Sequence, residues 1–308
     1  MSGNKGFYGK LLARCWGKFC RPDAWGVVWM TKVRTQNFTT EWLEPESLRF
    51  AQIGNGFVGS SLCRSFAQKG APTTVYDKYQ NLGTIEAVLD SDILFLCLPT
   101  PFVKDEGFDL LAIEESLAFL RENSYKGLCV IKSTVEIGVT KMLAEKYDLN
   151  IAHNPEFLTE RTALEDFDNQ KHIVLGKVCD SALFNELVLL YKKLYPSAMI
   201  SICSSCESEA MKLFANGFYA QKVMIFNEFY LLCQASSLDF ERIKSLMLKN
   251  GWIAPHHVTV PGPDGRLAYG GHCFPKDTKA LLEFMDNANT PNDVLRAAIL
   301  ERNRTREE

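Results

Sequence analysis

The chain has 308 residues, of which 46% are hydrophobic and 23% are charged, the balance of an ordinary globular protein with room for two average domains. This composition excludes a disordered chain, a collagen-like repeat and a coiled-coil rod as the main architecture, and no window approaches the roughly 18 uninterrupted apolar residues of a membrane span. The net charge of -3 gives no reason to expect nucleic acid or a membrane as a partner.

The N-terminal segment, residues 1–47, differs in composition from the rest of the chain. Residues 1–50 contain eight Lys or Arg against four Asp or Glu, and they also contain four of the five tryptophans. A shift of this kind marks an appended segment. Its longest apolar run, residues 24–30, is too short and too far from the start for an ordinary secretory signal. We expect a poorly ordered extension on a cytoplasmic protein, with a basic arm that touches a membrane or a partner as the alternative.

From residue 48 onward, short apolar strands alternate with stretches of helical periodicity. Residues 48–53 predict a strand, a glycine turn follows, residues 60–69 keep helical spacing, and residues 73–76 predict a second strand. Such a βαβ unit, continued by further strands and helices, predicts an α/β fold with a Rossmann-like, mostly parallel sheet over residues 48–204. The further strands are predicted at residues 93–98, 128–132, 150–153 and 172–175, with helices at 110–122 and 139–147.

The pattern changes at about residue 205. Residues 207–236 contain no proline, and Gly217 is their one glycine, while their apolar residues keep helical spacing on more than one face. We expect residues 205–308 to form a long central helix followed by a small helical domain that serves dimerisation and catalysis. Shorter helices are predicted at residues 240–248, 276–287 and 293–302, with a Gly- and Pro-rich loop at 251–271.

The ten cysteines fall mostly inside apolar runs, which is typical of buried, reduced thiols in a cytosolic protein. Cys203 and Cys206 have CxxC spacing, but neither a second pair nor histidines at ligand spacing accompany them. We therefore expect a structural pair and no metal site, with redox chemistry as the alternative.

The glycine turn after the first strand has the spacing of a dinucleotide-binding motif. Gly54 permits the tight turn, Gly56 lets the backbone approach a pyrophosphate, and Gly59 lets the helix pack close to the strand. Asp77 ends the next strand, where a carboxylate binds ribose hydroxyls and disfavours a 2′-phosphate, although Lys78 weakens that preference. We expect NAD as the cofactor, and a purely structural turn is the alternative. The predicted NAD contacts of the turn are Gly54, Asn55, Gly56, Phe57, Val58 and Gly59.

A second candidate site lies in residues 270–277, Gly-Gly-His-Cys-Phe-Pro-Lys-Asp. Cys273 stands at a predicted helix start, and both a helix N-terminus and the nearby Lys276 favour a thiolate. Cys273 is therefore the candidate nucleophile. The alternatives are a structural cysteine and a solvated helix start in which Asp277 complements the dipole.

Five segments, in the same order, resemble the UDP-glucose 6-dehydrogenase family of nucleotide-sugar dehydrogenases. The similarity covers about residues 48–305, and five ordered matches are more specific than any single motif. The resemblance implies that two NAD⁺ in succession oxidise the C6 alcohol of a nucleotide sugar to a carboxylate, through a thiohemiacetal and a thioester on a cysteine. The matching segments are residues 54–59, 133–138, 153–160, 209–216 and 270–277.

The resemblance also implies roles for the matched residues. Cys273 corresponds to the family nucleophile. Lys212 and Asn216, four apart on one helix, would stabilise oxyanion charge, and Asp277 would orient or activate water and keep Lys212 placed. Each of these side chains also has a structural alternative, such as a solvated helix face.

The remaining implied contacts belong to the loops that follow the strands. Glu156 with Thr134 would position a water for general-base work, although each has an alternative as a first-turn acid or a turn residue. Further cofactor contacts are predicted at Pro99, Thr100, Pro101, Ser133, Val135, Glu160 and Lys276. Substrate contacts are predicted at Phe157, Leu158, Arg266 and Gly271.

The chain departs from the family pattern in two places. Only about a dozen residues separate Asp77 from the strand at residue 92, so we expect a reduced adenosine side of the NAD pocket. The sequence also ends soon after Arg302, where the family continues into a second nucleotide-binding domain. We expect either a compact enzyme, whose pocket is completed by residues 261–266 and a partner subunit, or a weakened relative.

The leading hypothesis is an NAD-dependent oxidation of UDP-glucose to UDP-glucuronate by a homodimer that pairs through the long helix. A dehydrogenase for UDP-N-acetylmannosamine or GDP-mannose is an alternative within the family. A catalytically weakened NAD-binding homologue, acting as a binding or dimerisation module, is a second alternative. A dehydrogenase of small hydroxy acids is a third, and it gives Cys273 no function.

Overall fold

The computed structural model describes residues 48–306. The predicted extension at residues 1–47 lies outside the described residues. The described chain divides into two compact units. Residues 48–100 and 110–208 form the first unit, and residues 101–109 and 209–306 form the second.

Strands and helices alternate through the first unit, and helices dominate the second. The strands are β1 (Phe50–Ile53), β2 (Thr73–Tyr76), β3 (Ile93–Leu96), β4 (Phe102–Val103), β5 (Gly107–Phe108), β6 (Leu128–Ile131), β7 (Asn150–His153), β8 (His172–Lys177) and β9 (Met199–Ser204). The helices are α1 (Phe57–Gln68), α2 (Leu111–Glu122), α3 (Val139–Tyr147), α4 (Ala163–Asp168), α5 (Ala182–Leu194), α6 (Ser205–Ala235), α7 (Phe240–Lys249), α8 (Phe274–Asn287) and α9 (Asp293–Thr305).

Among the described residues, the first unit contains a seven-stranded sheet with the strand order β2-β1-β3-β6-β7-β8-β9. Every neighbouring pair is parallel except β7 and β8. The mostly parallel, Rossmann-like sheet is therefore confirmed. Because Ile53 pairs with Tyr76 on one side and Leu96 on the other, the carboxyl ends of these strands lie level at one edge of the sheet. The loops that carry the predicted cofactor residues leave the strands at this edge.

The core of the first unit lies on both faces of the sheet, because alternate strand residues point to opposite faces. Phe50, Phe95 and Val130 pack on one face, while Ile53, Leu96 and other alternate residues pack on the opposite face. On the first face Phe66 of α1 is fully buried and makes edge contacts with several aromatic rings, which fixes the helix against the sheet. The rings around it belong to Phe50, Phe95, Phe167 and Tyr191.

The second unit packs on the long helix α6. Phe226 and Cys233 of this helix pack against Phe240 and Val258, which buries the start of α7 and the loop that follows it. At Gly217 a Cβ atom would lie 2.8 Å from the Leu281 side chain, so the missing side chain lets α8 pack closely on α6. The long helix predicted from the sequence is thus present, with its start two residues earlier than expected.

The sequence analysis named no strand at β4, β5 or β9 and no helix at α4 or α5. Strand β9 is an edge strand with half-exposed residues, so it lacks the apolar run that marks the buried strands. The hairpin of β4 and β5 is only two residues per strand and belongs to the second unit, where the Asp105 amide donates to Glu283 of α8.

Candidate active site

The glycine turn after β1 requires glycine at its first and last positions. Gly54 has a φ of +93°, and a Cβ there would lie 2.3 Å from the carbonyl oxygen of Cys97. A Cβ on Gly59 would lie 2.1 Å from the carbonyl oxygen of Gly54. Neither position can therefore hold a side chain. Gly54 lies in the turn itself, and Gly59 lies where α1 packs against the turn.

The start of α1 has the features of an anion cradle. Gly56 is the N-cap, no side chain caps the helix, and the first turn contains no acidic residue. The first N–H groups of a helix have no intrahelical acceptor and carry partial positive charge. A Cβ on Gly56 would meet nothing within 4 Å, so the space beside this residue is open. These residues fit a phosphate group of a dinucleotide.

An open depression of about 600 Å³ extends from the start of α1 to the short 3₁₀ turn Glu160–Thr162. Arg64 and Arg161 line it together with the exposed Glu160. The predicted cofactor residues Phe57 and Glu160 thus line the same concave surface.

Asp77, the predicted ribose ligand, is 8% exposed and already accepts three backbone N–H groups. Its Oδ2 atom accepts from Asn55 at 2.7 Å, and its Oδ1 atom accepts from Tyr79 and Gln80 at 2.9 and 2.8 Å. The Gln80 side chain donates in turn to the Asn55 carbonyl oxygen at 2.9 Å. This carboxylate therefore joins the glycine turn to the loop after β2, and its predicted ribose contact stays a prediction.

Hydroxyl groups tie together the loops that follow β3 and β6. The Ser133 hydroxyl donates to the Leu98 carbonyl at 2.6 Å, and the Thr100 hydroxyl donates to the Thr134 carbonyl at 2.7 Å. Pro99 and Pro101 are exposed, whereas Val135 is fully buried in the core. The Val135 side chain, which was predicted to lie near the nicotinamide, thus packs in the core. The hydroxyl groups of Ser133 and Thr100 connect the two loops.

The segment after β7 holds Glu156, the candidate general base. Glu156 is 8% exposed, and its Oε2 atom accepts the Leu158 N–H at 2.7 Å, while Phe157 is exposed. The sequence analysis missed Lys132, which is 4% exposed and donates to Asn154 Oδ1 at 2.8 Å. The sequence contains a signal that could have identified Lys132, because a lysine directly after a buried strand needs a polar partner.

Cys273 is the N-cap of α8, as the sequence predicted, and it is half-buried. The Asp277 N–H donates to the Cys273 carbonyl oxygen at 2.9 Å, which closes the first turn. Lys276 and Asp277 lie in that turn. A helix N-terminus stabilises a thiolate because the unpaired N–H groups carry partial positive charge.

Three predicted residues of the second unit, Asn216, Lys276 and Asp277, form a hydrogen-bonded cluster, and Lys212 lies one helical turn before Asn216 on α6. Lys212, Asn216 and Asp277 are 3%, 4% and 0% exposed. The Asn216 amide donates to Asp277 Oδ2 at 2.6 Å, and the Lys276 ammonium donates to Asp277 Oδ1, also at 2.6 Å. Lys276 also lies 4.4 Å from the centre of the Phe108 ring. Its observed partners are thus Asp277 and Phe108, and its predicted contact with a cofactor phosphate stays a prediction.

Two arginines that sequence reasoning missed hold the loop before Cys273. Arg302 is buried and its Nε atom donates to the Tyr269 carbonyl at 3.2 Å. The Arg306 guanidinium forms an ion pair with Asp264 and lies so close to Gly270 that a Cβ there would be 2.2 Å away. These contacts fix the backbone that leads to Cys273.

The predicted substrate residues Arg266 and Gly271 lie in this same loop. Arg266 is exposed, and its carbonyl oxygen accepts the Gly262 N–H at 2.8 Å. Gly271 is exposed with a φ of +75°, a conformation that favours glycine.

An aromatic cluster in the second unit includes Phe274, the residue after Cys273. The Tyr219 and His257 rings stack with centres 4.7 Å apart, and Phe274 lies 5.5 Å from His257. The Lys222 ammonium donates to the carbonyls of Ala254 and His256, which fixes this loop. Burial lowers the pKa of His257, and the charge of Lys222 lowers it further.

Comparisons with known proteins place the chain in a family. The NAD binding domain of the UDP-glucose/GDP-mannose dehydrogenase family matches residues 78–195, and the central domain of the same family matches residues 206–304. The chain belongs to this family. NAD is the cofactor of the first unit, as expected from the glycine turn, and the open cradle at α1 fits it.

Two curated relatives and one solved structure carry the name of a UDP-glucose dehydrogenase. A UDP-glucose 6-dehydrogenase of Campylobacter jejuni is 32% identical over 70% of this chain and 53% of its own length. One of Pseudomonas aeruginosa is 29% identical over 69% of this chain and 48% of its own. The structure of a UDP-glucose dehydrogenase from Pyrobaculum islandicum superposes with a TM-score of 0.75 at 25% identity, covering 83% of this chain and 68% of that one. The chain spans about half the length of the curated relatives it matches.

Three further findings concern residues 48–306 alone. None of their helices is long and apolar enough to cross a membrane. Their His, Cys, Asp and Glu side chains form no group of three that could hold a metal ion. None of the eight cysteines in this range, including the CxxC pair Cys203 and Cys206, forms a disulfide bond.

Proposed function

We propose that this protein oxidises the C6 primary alcohol of UDP-glucose to the carboxylate of UDP-glucuronate, with Cys273 as the nucleophile. The observation that carries the proposal is the hydrogen-bonded cluster of Asn216, Lys276 and Asp277, in which Lys276 and Asp277 lie within one turn of Cys273 at the N-terminus of α8. The membership of the chain in the UDP-glucose/GDP-mannose dehydrogenase family supports it.

The chemistry explains why a thiolate is needed. NAD⁺, when bound, takes up the two electrons and the hydrogen that leave the sugar carbon in each of two oxidations. The Cys273 thiolate adds to the aldehyde carbon after the first oxidation, so a C–S bond forms and the carbonyl oxygen takes a proton. The second oxidation leaves a thioester. Water then attacks its carbonyl carbon, the C–S bond breaks, and the carboxylate leaves while the thiolate is restored.

The buried polar residues of the second unit suit the charge that develops in these steps. The Lys212 ammonium and the Asn216 amide can donate to the oxyanion of each tetrahedral species, where preorganised donors are most effective. Asp277, held by two side-chain donors, can accept a proton from the attacking water. In the first unit, Glu156 can act as a general base together with Thr134.

The test is the yield of NADH per sugar. We expect two NADH for each UDP-glucose consumed, and we expect Cys273→Ser to lower the steady-state rate on the order of 10³-fold or more. Cys179→Ser is the matched control, because Cys179 is exposed and lies far along the chain from the cluster, and its rate should be unchanged. Absence of NADH with UDP-glucose, UDP-N-acetylmannosamine and GDP-mannose would contradict the proposal, and a clear preference for another sugar would correct its substrate.

We also propose that α6 pairs with its copy in a homodimer. Six apolar side chains of this helix are 36% to 63% exposed and fall within an arc of about 60°, at ~100° per residue. An apolar stripe of this length is typical of a helix that packs against a partner. The stripe consists of Met211, Phe214, Phe218, Ile225, Phe229 and Leu232.

Light scattering tests this pairing. We expect the mass of a dimer for the wild type and of a monomer for Phe218→Glu, since a buried carboxylate has no partner on an apolar stripe. Val294→Glu is the control, because Val294 is 74% exposed and lies outside the stripe. A monomeric wild type contradicts the pairing.

A further inference from the structure

The glycine turn after β1 begins as a continuation of the parallel sheet. Its first peptide, between Ile53 and Gly54, is bound at both polar groups. The Ile53 carbonyl accepts from the Cys97 N–H at 2.9 Å, and the Gly54 N–H donates to the Tyr76 carbonyl, also at 2.9 Å. Tyr76 ends β2 and Cys97 directly follows β3, so the strands on both sides of β1 fix this peptide.

The second peptide of the turn, between Gly54 and Asn55, is held by two side chains. The Gly54 carbonyl accepts from the Gln52 amide at 3.1 Å, and the Asn55 N–H donates to Asp77 Oδ2 at 2.7 Å. Gln52 is 0% exposed and Asp77 is 8% exposed, so the fold restrains both partners. This peptide is therefore oriented from both sides.

The third peptide, between Asn55 and Gly56, is held by Gln80, which lies 25 positions beyond Asn55 in the chain. The Gln80 amide donates to the Asn55 carbonyl at 2.9 Å, and the Asn55 amide donates to the Gln80 side-chain oxygen at 3.0 Å. The Gln80 N–H donates to Asp77 Oδ1 at 2.8 Å, which anchors its backbone. Gln80 is thus held at three atoms, two of them on its side chain.

The Gly56 N–H differs from the groups above, because it has no acceptor within the described part of the chain. Gly56 is exposed at the N-cap of α1, and a Cβ there would meet nothing within 4 Å. A trans peptide is planar, so its N–H points away from its carbonyl. The Gln80 donor that fixes the Asn55 carbonyl therefore also fixes the direction of the Gly56 N–H.

We propose that Gln80 is a positioning residue for NAD, which orients the Gly56 N–H before the cofactor binds. Glycine has the widest backbone freedom of any residue, so without this restraint the Asn55–Gly56 peptide would sample several orientations. An N–H that is already oriented binds a phosphate oxygen without losing that freedom, and its hydrogen bond to the anion is charge-assisted. The inference requires NAD as the cofactor and does not depend on the proposed sugar.

Calorimetric titration of the full chain with NAD⁺, without sugar, tests this role. Gln80→Met keeps the approximate size of the side chain but removes the donor to the Asn55 carbonyl, so we expect the Kd for NAD⁺ to rise about five- to tenfold. Gln68→Met is the matched control, because Gln68 is exposed at the opposite end of α1 from Gly56, and its Kd should equal the wild-type value. An unchanged Kd in Gln80→Met, or an equal rise in the control, would overturn the proposal.

Hydrogen exchange provides a readout that depends on neither cofactor binding nor turnover. In the absence of NAD⁺, we expect residues 50–60 to exchange faster in Gln80→Met than in the wild type or in Gln68→Met, because the turn has lost a restraint. Exchange at the wild-type rate in this segment of Gln80→Met would overturn the proposal.

Thermal unfolding separates positioning from a loss of folding. The melting temperature of cofactor-free Gln80→Met should lie within a few degrees of the wild type, while the rise caused by NAD⁺ should be smaller. A large fall without NAD⁺ would show that Gln80 acts through stability, and that result, like a wild type without affinity for NAD⁺, overturns the proposal. A wild type that binds NAD⁺ but forms no NADH with any nucleotide sugar refutes the proposed function and leaves this inference standing.

Discussion

Two buried aspartates, one in each unit, accept hydrogen bonds from different kinds of donor, the backbone in one case and side chains in the other. Asp77 accepts three backbone N–H groups, two of them from the next three residues of its own loop. Asp277 accepts from the Asn216 amide, 61 residues away in the chain, and from the Lys276 ammonium. Both carboxylates are satisfied, yet one is bound by the chain backbone and the other by side chains.

The difference indicates what each carboxylate can do. Backbone N–H groups are uncharged and fixed by the fold, so Asp77 shapes the glycine turn and the loop after β2. Side-chain donors can carry a charge, as the Lys276 ammonium does, and they can move when a reaction proceeds. The hydrogen bonds of Asp277 therefore depend on the side chains of Lys276 and Asn216. A carboxylate held in the second way suits a reaction in which protons move.

The largest expected effect follows from exchanging each aspartate for asparagine. Asp277→Asn removes the proton acceptor and leaves the Lys276 ammonium without its counter-charge, so we expect kcat to fall about 10²- to 10⁴-fold. Asp77→Asn keeps the size of the side chain but weakens the ties to the loop after β2, so we expect the KM for NAD⁺ to rise about tenfold with kcat within a few-fold. Steady-state NADH formation measures both.

The same experiment can contradict the comparison. If Asp77→Asn lowered kcat as strongly as Asp277→Asn, the donor type would not distinguish the two roles. Thermal melts of both variants separate a loss of folding from a loss of chemistry. A melting temperature within a few degrees of the wild type is required before the rates are compared.

The sequence predicted the parallel sheet and the long helix because buried strands and amphipathic helices carry strong periodic signals. It also predicted Cys273 at a helix start, since glycine, proline and an acid mark that boundary. It did not predict that Asp77 would be bound by its own loop, because a short turn leaves no periodic pattern. Arg302 and Arg306 were missed for a related reason, as their partners are backbone carbonyls more than thirty residues away.

A smaller effect is expected at the loop before Cys273. The Arg306 side chain is 9% exposed, is paired with Asp264, and donates to the carbonyls of Leu267 and Ala268. Arg306→Ala should lower the free energy of unfolding by about 2 kcal/mol, since it leaves carbonyls in the loop without a charged donor. Urea denaturation measures this change.

The control is an exposed ion pair between Arg296 of α9 and Asp286 of α8. Arg296 is bound to Asp286 at 2.6 Å, with both side chains more than 40% exposed. Because solvent screens such a pair, Arg296→Ala should change the free energy of unfolding by less than about 1 kcal/mol. Equal losses in the two variants would show that the Arg306 contacts hold the loop no better than a surface ion pair.

The smallest effect is expected at the start of α6, where Ser204 and Glu207 form a capping box. The Ser204 N–H and hydroxyl both donate to Glu207, at 2.8 and 2.7 Å, and the Glu207 N–H donates to the Ser204 hydroxyl at 3.2 Å. The two donations to the carboxylate lower the pKa of Glu207 below its usual value. A carboxyl group with a lowered pKa stabilises the fold above its unfolded pKa, about 4.3, and that stability is lost as the pH falls through the folded pKa.

Glu207→Gln should therefore lower the free energy of unfolding by about 1 kcal/mol or less at pH 7, where the carboxylate is ionised in both states. The difference between the variant and the wild type should shrink toward zero below about pH 4, because the wild-type carboxyl group then becomes neutral as well. Urea denaturation at pH 7 and pH 3.5 measures both values. A difference that stays constant with pH would show that the cap depends on the shape of the side chain and not on its charge.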